Sequence, residues 1–509
     1  MVPELKDRGL AEDAESPEPS PLPPSPPRSS RRRPLKTWQF TAAAATSGLV
    51  LSAVVVTAAG PWDSGQRTAE RSWAASRESD GVADHGRRGR KEQPAPAAPD
   101  VLSALGAPQS AAPAPTRRAL ADVLDPLLRD PSLGTLRTAS VVDALTGEEL
   151  YGAKQGDAIT PASTTKIATA VAALSALGPD HRIVTRALAN AGSDELVLVG
   201  GGDPTLTARS DAKGHASLRE LAKITAKALQ AHPREGKLRL TYDTSLYSGP
   251  GLHPIGPNEN IAPVSALMID EGRLNDSFKG TAPRTGDPAA AAAKRFGEML
   301  REEGVRLEGG APQPSKAGAK AEELGTVSSA PMSALVERML TNSDNDIAEA
   351  LVRQVALASG EPASFEGAGK AVEKRLRDLQ LPMKGAKFAD GSGLNRADRV
   401  SARLLTALLA KAADPAHPEL RPALTGLPVA GFTGTLSDRY GSEGAAPGTG
   451  LVRAKTGTLT GVNTLAGSVV DADGRLLLFA FTASGTSSAP SAQSTLDRLA
   501  ATVANCGCR

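Results

Sequence analysis

The stretch Pro161-Ala-Ser-Thr-Thr-Lys-Ile-Ala-Thr-Ala-Val-Ala-Ala-Leu174 decides how this 509-residue chain folds. Its apolar run after Lys166 predicts a helix whose first turn carries Ser163. Because positions i and i+3 share one face of a helix, the Lys166 amine is expected near the Ser163 hydroxyl.

A hydroxyl and an amine at this spacing can form a nucleophile and its base. Serine is a poor nucleophile at neutral pH unless a base lies beside it. Burial among apolar residues disfavours a charged lysine, so the neutral amine of Lys166 becomes available to Ser163. The helix N-terminus adds backbone N–H groups where an oxyanion would form. The alternative is an alanine-rich core helix with a capping serine and a lysine that reaches solvent.

A second motif, Ser343-Asp-Asn345, lies between two helical patterns at 333–340 and 347–358. A short polar break there can present a hydroxyl and an amide to a cleft. Ser343 is then a candidate proton relay to a leaving amine, and Asn345 a candidate partner for a substrate carbonyl. The alternative is an ordinary helix N-cap, which is the usual role of Ser, Asp and Asn.

A third motif, Lys455-Thr-Gly-Thr458, closes a strand-like run near the C-terminus. A second run at 462–470 and a turn at 471–474 lead into a third run at 475–482, which predicts a hairpin. An edge strand with Lys and Thr can bind an extended peptide and its terminal carboxylate, and Gly457 lets the substrate backbone approach. The alternative is a charged edge strand that guards against aggregation.

Each motif alone is weak, since Ser210-Asp-Ala-Lys213 also fits the first pattern in a polar stretch with no helix. All three in this order resemble the active-site set of the penicillin-recognising serine acyltransferases. More specifically, about residues 118–503 are similar to low-molecular-weight penicillin-binding proteins of the D-alanyl-D-alanine carboxypeptidase/endopeptidase type. Further segments that carry this resemblance are Leu198-Val-Gly-Gly-Gly-Asp-Pro-Thr-Leu206, Ala262-Pro-Val-Ser-Ala-Leu267 and Asp390-Gly-Ser-Gly-Leu-Asn-Arg396.

The resemblance implies a serine D-Ala-D-Ala carboxypeptidase, alone or with endopeptidase activity on cross-links, that needs no metal or organic cofactor. Ser163 is expected to be the acylated nucleophile and Lys166 its base. Ser343 and Asn345 are expected to relay a proton and position substrate, and Lys455 to take part in electrostatics and proton transfer. The implied partners are peptidoglycan stem peptides, with β-lactam antibiotics as covalent inhibitors.

The resemblance also implies a set of substrate-binding residues. They are Thr456, Gly457, Thr458, Leu394 and Arg396. The two threonines would hold the terminal carboxylate, while Leu394 and Arg396 would face the stem-peptide side chain. The backbone N–H groups of Ser163 and Thr458 would make the oxyanion hole.

The implied fold class is α+β, of the β-lactamase/transpeptidase-like type. Strands at 138–143 and 149–151, the C-terminal hairpin and a final helix at 491–504 would build one antiparallel sheet with flanking helices. The helices after Ser163 and around Ser343 would form a facing all-α subdomain. The three motifs would meet in the cleft between these layers.

Composition and resemblance together divide the chain into predicted segments. They are a disordered cytoplasmic leader (1–39), a transmembrane anchor (40–60), a disordered Ala/Pro-rich linker (61–117), a discontinuous catalytic domain (118–181 and 286–505) and an inserted domain (182–285). The interval from Ser163 to Ser343 is shorter than expected for family members with two inserted domains. One compact insertion is therefore predicted, and any substrate contacts of the missing part are left open.

The predicted anchor indicates the cellular compartment in which the catalytic domain lies. Phe40 to Ala59 carries no charge and is about long enough to span a bilayer. Basic residues on its N-terminal flank (Arg31, Arg32, Arg33 and Lys36) predict a cytoplasmic N-terminus, a single pass through the cell membrane and an extracytoplasmic catalytic domain. The alternative is a secreted protein, released by signal-peptide cleavage near Ala58-Ala59-Gly60.

Composition excludes several other classes of function. A net charge of only +2 and 3% aromatic residues argue against a nucleic-acid partner. The six histidines show no metal-ligand spacing and none lies beside a motif, which disfavours a zinc peptidase or a Ser-His-Asp hydrolase. Cys506 and Cys508 are the only cysteines, and a disulfide between them would close a small, strained ring. A frayed tail without function is expected, and the alternative is an unpaired or intermolecular role.

Two other functions share these motifs. A β-lactamase must hydrolyse its acyl-enzyme quickly, yet no convincing Glu-x-x-x-Asn follows Asn345, and the long insertion before Ser343 also argues against this class. A non-catalytic peptidoglycan-binding scaffold could keep the fold, although the intact catalytic set argues against it.

Overall fold

The computed structural model describes residues 113–232, 234 and 236–507. The predicted leader (1–39), the predicted anchor (40–60) and the predicted linker (61–117) up to residue 112 lie outside these residues. Among the described residues, none of the helices is both long enough and apolar enough to cross a bilayer.

The described residues form the following helices and strands. The helices are α1 (Arg117–Leu128), α2 (Thr165–Leu177), α3 (Leu218–Ala231), α4 (Pro288–Glu302), α5 (Met332–Asn342), α6 (Asn345–Ala358), α7 (Phe365–Asp378), α8 (Ala402–Ala413), α9 (Pro422–Thr425) and α10 (Ala489–Ala504). The strands are β1 (Leu136–Asp143), β2 (Glu149–Ala153), β3 (Ala158–Ile159), β4 (Val184–Ala189), β5 (Glu195–Val199), β6 (Arg239–Asp243), β7 (Gln313–Pro314), β8 (Glu322–Ser328), β9 (Val400–Ser401), β10 (Arg453–Leu459), β11 (Val462–Val470) and β12 (Leu476–Ser484).

The central sheet has the strand order β10-β11-β12-β1-β2, and every neighbouring pair is antiparallel. It joins the two N-terminal strands to the C-terminal hairpin, as predicted. Helix α8 packs on one face, whereas α1 and α10 lie on the other. Because both faces are covered, β11 is buried from Val462 to Val469 and its sequence is almost continuously non-charged.

Alternate side chains of β12 pack into two separate hydrophobic cores. Leu478 and Ala480 belong to the core shared with α2, α5, α6 and α8. Phe479 and Phe481 belong to the core beneath α1 and α10, where their rings stack with centroids 5.2 Å apart. Burying one such ring stabilises the fold by about 1.5–3 kcal/mol. The sheet therefore fixes the position of the helical layer relative to the C-terminal helix.

Helix α2 is the centre of the helical layer. It is buried continuously from Thr165 to Leu174 and packs against α5, α6, α7 and α8. Its alanines at 168, 170, 172 and 173 are completely buried, and their small side chains let the surrounding helices approach closely. The predicted all-α subdomain is thus built around the helix that follows Ser163.

A second sheet has the order β7-β6-β5-β4-β8. Strands β5, β6 and β7 are parallel neighbours, while β4 is antiparallel to β5 and β8. Helices α3 and α4 cover this sheet and share a third hydrophobic core with it. The sheet continues to Ser328, beyond the boundary at 285 predicted for the inserted domain, so that boundary does not coincide with the end of the sheet.

The C-terminus differs from the expected frayed tail. Helix α10 ends at Ala504, and Cys506 is buried in the same core as Phe479 and Phe481. Cys506 is also disulfide-bonded. The expectation was wrong for this residue because the chain packs against the sheet after the helix ends. Cys508 lies outside the described residues.

Candidate active site

Ser163 lies in a tight turn, Ala162–Thr164, that leads directly into α2. The Thr164 hydroxyl donates to the Pro161 carbonyl at 2.7 Å and closes the turn. Ala162 has a φ of 49°, a left-handed conformation that is uncommon for a residue with a Cβ atom. The predicted helix therefore carries Ser163 at its entrance, half-buried on the wall of a cavity.

The Lys166 amine is held by three oxygen acceptors. Its Nζ donates to Ser163 Oγ at 3.1 Å, to Asn345 Oδ1 at 2.7 Å and to the Ser392 carbonyl at 2.6 Å. The side chain is fully buried. Burial lowers the Lys166 pKa to about 8, although nearby carboxylates oppose that shift. These carboxylates are Asp390, Asp344, Glu349 and Asp398.

The second motif forms the junction between α5 and α6, as predicted. Ser343 ends α5 in a left-handed conformation, with φ 58° and ψ 41°. Asp344 caps α6 by accepting the Ile347 N–H at 2.9 Å. Asn345 then bridges two parts of the chain, because its Oδ1 accepts from Lys166 while its Nδ2 donates to the Asn260 carbonyl at 3.0 Å.

The third motif lies on β10, an edge strand of the central sheet. Lys455 is fully buried and its Nζ donates to the Thr456 carbonyl at 2.8 Å. Burial, with a smaller contribution from the neighbouring Lys166 charge, holds the Lys455 pKa well below its usual range. The Thr456 hydroxyl bonds that of Thr435 at 2.8 Å, while Thr458 is exposed.

Gly457 brings β10 against the turn that carries Ser163. A Cβ atom at this position would lie 2.1 Å from Thr464 Oγ1, 2.8 Å from the Pro161 carbonyl oxygen and 3.1 Å from the Ser163 nitrogen. Contacts within the protein therefore require glycine at this position, independently of any approach of substrate. The glycine lets the first and third motifs come together.

Several predicted residues line one cavity of about 210 Å³. They are Ser163, Ser343, Asn345, Leu394 and Thr458. Lys166 and Lys455 are buried beside it, and Thr456 and Gly457 are also buried. Arg396 is exposed and donates to the Thr460 carbonyl at 2.8 Å, so the structure uses it to hold the turn after β10.

The cavity also contains residues that the sequence analysis missed. They are Asn260, Arg273, Gly280, Thr281, Arg284, Asn342 and Asp344. Most come from 260–284, a loop-rich stretch in which the sequence analysis singled out only the segment 262–267. Arg284 lies 3.0 Å from Asp346 of α6, and the Ala262 N–H donates to Asp346 at 2.9 Å. These contacts connect the stretch 260–284 to the start of α6, directly after the second motif.

Within the part of the chain that the structure describes, two groups of side chains are compact enough to hold a metal ion. They are His253, Glu349 and Asp390, and Glu271, Asp344 and Asp346. In the first group, backbone N–H groups, a hydroxyl, Arg353 and the histidine itself already bond the carboxylate oxygens. In the second, three guanidinium groups lie against the acids. Both arrangements favour hydrogen bonds and ion pairs over a cation.

Burial dominates the titration of the second group. It raises the Glu271 pKa to about 8 and the Asp346 pKa to about 7, and the nearby Asp344 charge adds to both shifts. The first group contains a histidine that lies beside none of the three motifs in the sequence. Folding brings His253 within 2.9 Å of Asp390, although 137 positions separate them in the sequence.

Comparison with known proteins gives consistent matches. Residues 120–288 and 278–503 match the family described as D-Ala-D-Ala carboxypeptidase 3 (S13). Carboxypeptidase DacB of Mycolicibacterium smegmatis is 38% identical over 412 residues, which are 78% of this chain and 86% of that protein. Carboxypeptidase Rv3627c of Mycobacterium tuberculosis is 36% identical over 438 residues, 82% of this chain and 91% of that protein.

Solved structures share the fold of this chain. Penicillin binding protein 4 (dacB) from Haemophilus influenzae aligns with a TM-score of 0.60 and 24% sequence identity. The alignment covers 74% of this chain and 98% of that one. At this level of identity the likeness concerns the fold alone.

The substitution Gly457→Ala tests the contact between the first and third motifs. The added methyl group would push β10 away from the Ser163 turn, and displacements of about 1 Å at a reacting group can cost about 100-fold in rate. We therefore expect labelling of Ser163 by a fluorescent β-lactam to slow by about this factor. Gly156→Ala is the matched control, since its Cβ would meet nothing within 4 Å. Equal labelling rates for the two variants would contradict the prediction.

Proposed function

The chain belongs to the D-Ala-D-Ala carboxypeptidase 3 (S13) family, and we propose that it cleaves the bond between the terminal D-alanines of peptidoglycan stem peptides through an acyl-enzyme on Ser163. One observation carries the assignment of the nucleophile. The fully buried amine of Lys166, with its lowered pKa, donates to Ser163 Oγ at 3.1 Å on the wall of the cavity. This is the geometry of a base beside a nucleophile.

In the acylation step, the neutral Lys166 amine takes the proton of the Ser163 hydroxyl while Oγ bonds to the carbonyl carbon. The backbone N–H groups of Ser163 and Thr458 stabilise the oxyanion. Ser343 then relays the proton from the Lys166 ammonium to the leaving nitrogen, the C–N bond breaks, D-alanine departs and the Lys166 amine is neutral again. Lys455 contributes a second buried amine to the electrostatics of this proton route.

In the deacylation step, a water molecule attacks the ester carbonyl. Lys166 takes the proton of the water, and the Ser163 oxygen leaves with a proton returned to it. The shortened stem peptide is released and the enzyme is restored. Both steps therefore use the same base, so both require the amine to be neutral when the attack begins.

Substrate recognition follows from the residues around the cavity. Thr456 and Thr458 on the edge strand would hold the terminal carboxylate, and Asn345 would bond the peptide carbonyl. Leu394 and Arg396 would face the stem-peptide side chain. Cross-link endopeptidase activity would use the same acyl-enzyme with a different leaving amine, and digestion of purified cross-linked muropeptide dimers would measure it.

Slow hydrolysis of a penicilloyl ester is also part of the proposal. Glu349 lies four residues after Asn345, but it is fully buried and both its oxygens are already bonded. One oxygen accepts the N–H groups of Gly391 and Ser392, and the other pairs with Arg353. Because both carboxylate oxygens of Glu349 are already bonded, this residue is a poor candidate to activate a deacylating water. This supports a penicillin-binding enzyme over a β-lactamase.

Acylation by benzylpenicillin tests the proposed function. We expect intact-mass spectrometry to show a persistent penicilloyl adduct on the wild-type protein and none on Ser163→Ala. Release of D-alanine from a D-Ala-D-Ala peptide should be lost in the same variant. Rapid consumption of penicillin with only a transient adduct would favour a β-lactamase. A folded protein that forms no adduct and consumes no penicillin would favour a scaffold.

The acylation rate should depend on pH through Lys166. The base must be neutral, and its pKa of about 8 leaves it mostly protonated at lower pH. We expect the rate to rise by about tenfold per pH unit below that value and to level off above it. Stopped-flow measurement of acylation between about pH 6 and 9.5 checks this, and a flat profile would contradict it.

We also propose that residues 40–60 anchor the enzyme and place residues 118–505 outside the cytoplasm, where peptidoglycan lies. The uncharged stretch and its basic flank support this placement. The full chain should then appear in the membrane fraction, and deletion of 40–60 should remove it from there. Recovery of a soluble chain that starts after Ala59 would favour a cleaved signal peptide instead.

A further inference from the structure

The Ser392 carbonyl is the acceptor nearest to the Lys166 amine. Its oxygen lies 2.6 Å from Nζ, closer than Asn345 Oδ1 at 2.7 Å or Ser163 Oγ at 3.1 Å. Ser392 is fully buried. The position of this carbonyl therefore helps to decide where the amine points, and a small movement of it would change the distance from base to nucleophile.

Side-chain oxygens hold every backbone N–H of the turn 391–395. Asp390 accepts from Gly393 at 2.7 Å and from Asn395 at 2.7 Å. The turn is also fixed by Glu349, which accepts from residues 391 and 392, and by the Ser392 hydroxyl, which accepts from residue 394. Asp390 additionally accepts from the Ser392 hydroxyl at 3.1 Å. The geometry of the Ser392 carbonyl thus depends on the orientation of Asp390.

His253 fixes that orientation from another part of the chain. Its Nδ1 accepts the Ile255 N–H at 3.2 Å, which leaves the proton of the neutral ring on Nε2. Nε2 then donates to Asp390 Oδ2 at 2.9 Å. The ring is 1% exposed and packs edge-on against Phe365, with centroids 5.3 Å apart. Burial would raise the Asp390 pKa, but the hydrogen bonds from His253, from Asp398 and from the Gly393 N–H together outweigh it and lower the pKa.

We propose that His253 is a positioning residue for the base of the reaction, an inference that rests on the proposed role of Lys166. It acts through a chain of contacts, from His253 to Asp390, from Asp390 to the turn, and from the Ser392 carbonyl to the Lys166 amine. His253 lies within 182–285, the region predicted as the inserted domain. The part of the chain outside the predicted catalytic domain therefore controls the geometry of the base.

Substitution of His253 should change turnover more than substrate binding. Replacing His253 with Phe keeps a ring of similar bulk but removes the donor to Asp390. We expect His253→Phe to lower kcat for D-alanine release by about 10- to 100-fold and to leave KM within about twofold. His253→Gln, whose amide nitrogen can occupy the position of Nε2, should restore most of the lost activity.

The pH dependence of kcat provides a second measurement. It should not change if His253 has a merely structural role. A weaker bond from Lys166 to the Ser392 carbonyl destabilises the charged amine, so the midpoint of the acid limb should move to lower pH in His253→Phe. The charged and titratable groups that face this network are Lys166, Asp344, Glu349, Arg353, Asp390, Asp398 and Lys455. All of these side chains remain in the variant, but loss of the His253 donor is also expected to raise the Asp390 pKa, so the shift reports on the contacts and the charge of this network together.

His417→Phe is the matched control. His417 pairs with Glu419 at 3.0 Å, a second histidine–carboxylate contact in a turn between α8 and α9, away from the cavity. We expect wild-type kcat, KM and pH midpoint in this variant. Unfolding midpoints of all variants establish that the folded proteins are being compared.

The outcomes separate this inference from the proposed function. A wild-type protein that forms no penicilloyl adduct and releases no D-alanine would overturn both. If the wild type reacts, and folded His253→Phe shows the same kcat and pH midpoint, only the positioning role is overturned. If His253→Phe does not fold, His253→Asn replaces it, since its shorter amide does not reach Asp390. Equal kcat for the Asn and Gln variants would then overturn the proposal, and a clear deficit confined to Asn would support it.

Discussion

The removal of the Lys166 amine from water is the constraint on which the rest of the site depends. An ammonium group without water needs acceptors and nearby negative charge, and three oxygens and four carboxylates supply them. Those carboxylates are themselves buried and need their own donors. Glu349 pairs with Arg353, and Asp390 pairs with His253. One buried amine therefore requires a network of contacts that extends from α2 through α6 to residues before α4.

The sequence predicted those elements whose pattern follows directly from burial. The run 462–470 coincides with β11, because a strand covered on both faces is almost uniformly non-charged. The Ser-x-x-Lys spacing placed Ser163 and Lys166 on one face of a helix start, and the structure brings their side chains to 3.1 Å. The polar break at Ser343 likewise separates two helices. Local pattern was enough in each case.

Contacts between distant loops could not be predicted in this way. Asn260, Arg284 and His253 lie in a stretch dominated by turns, where neither helical nor strand periodicity exists. Their partners are 85, 62 and 137 positions away in the sequence. The continuation of the second sheet past 285, the predicted end of the inserted domain, could not be predicted for a similar reason. Strand β7 has only two residues, and only two of the seven residues of β8 are buried, so neither leaves an apolar signature beyond that point.

The floor and the rim of the cavity differ in how freely they can change. The floor is the buried layer behind the residues that line the cavity: it consists of the alanines of α2, Gly457 and the fully bonded turn 391–395, where one replacement disturbs several contacts. Gly280 and Thr281 on the rim are exposed and hold few such contacts. Evolutionary divergence in substrate or antibiotic preference is therefore expected to accumulate in the rim, while the floor is inherited with little change.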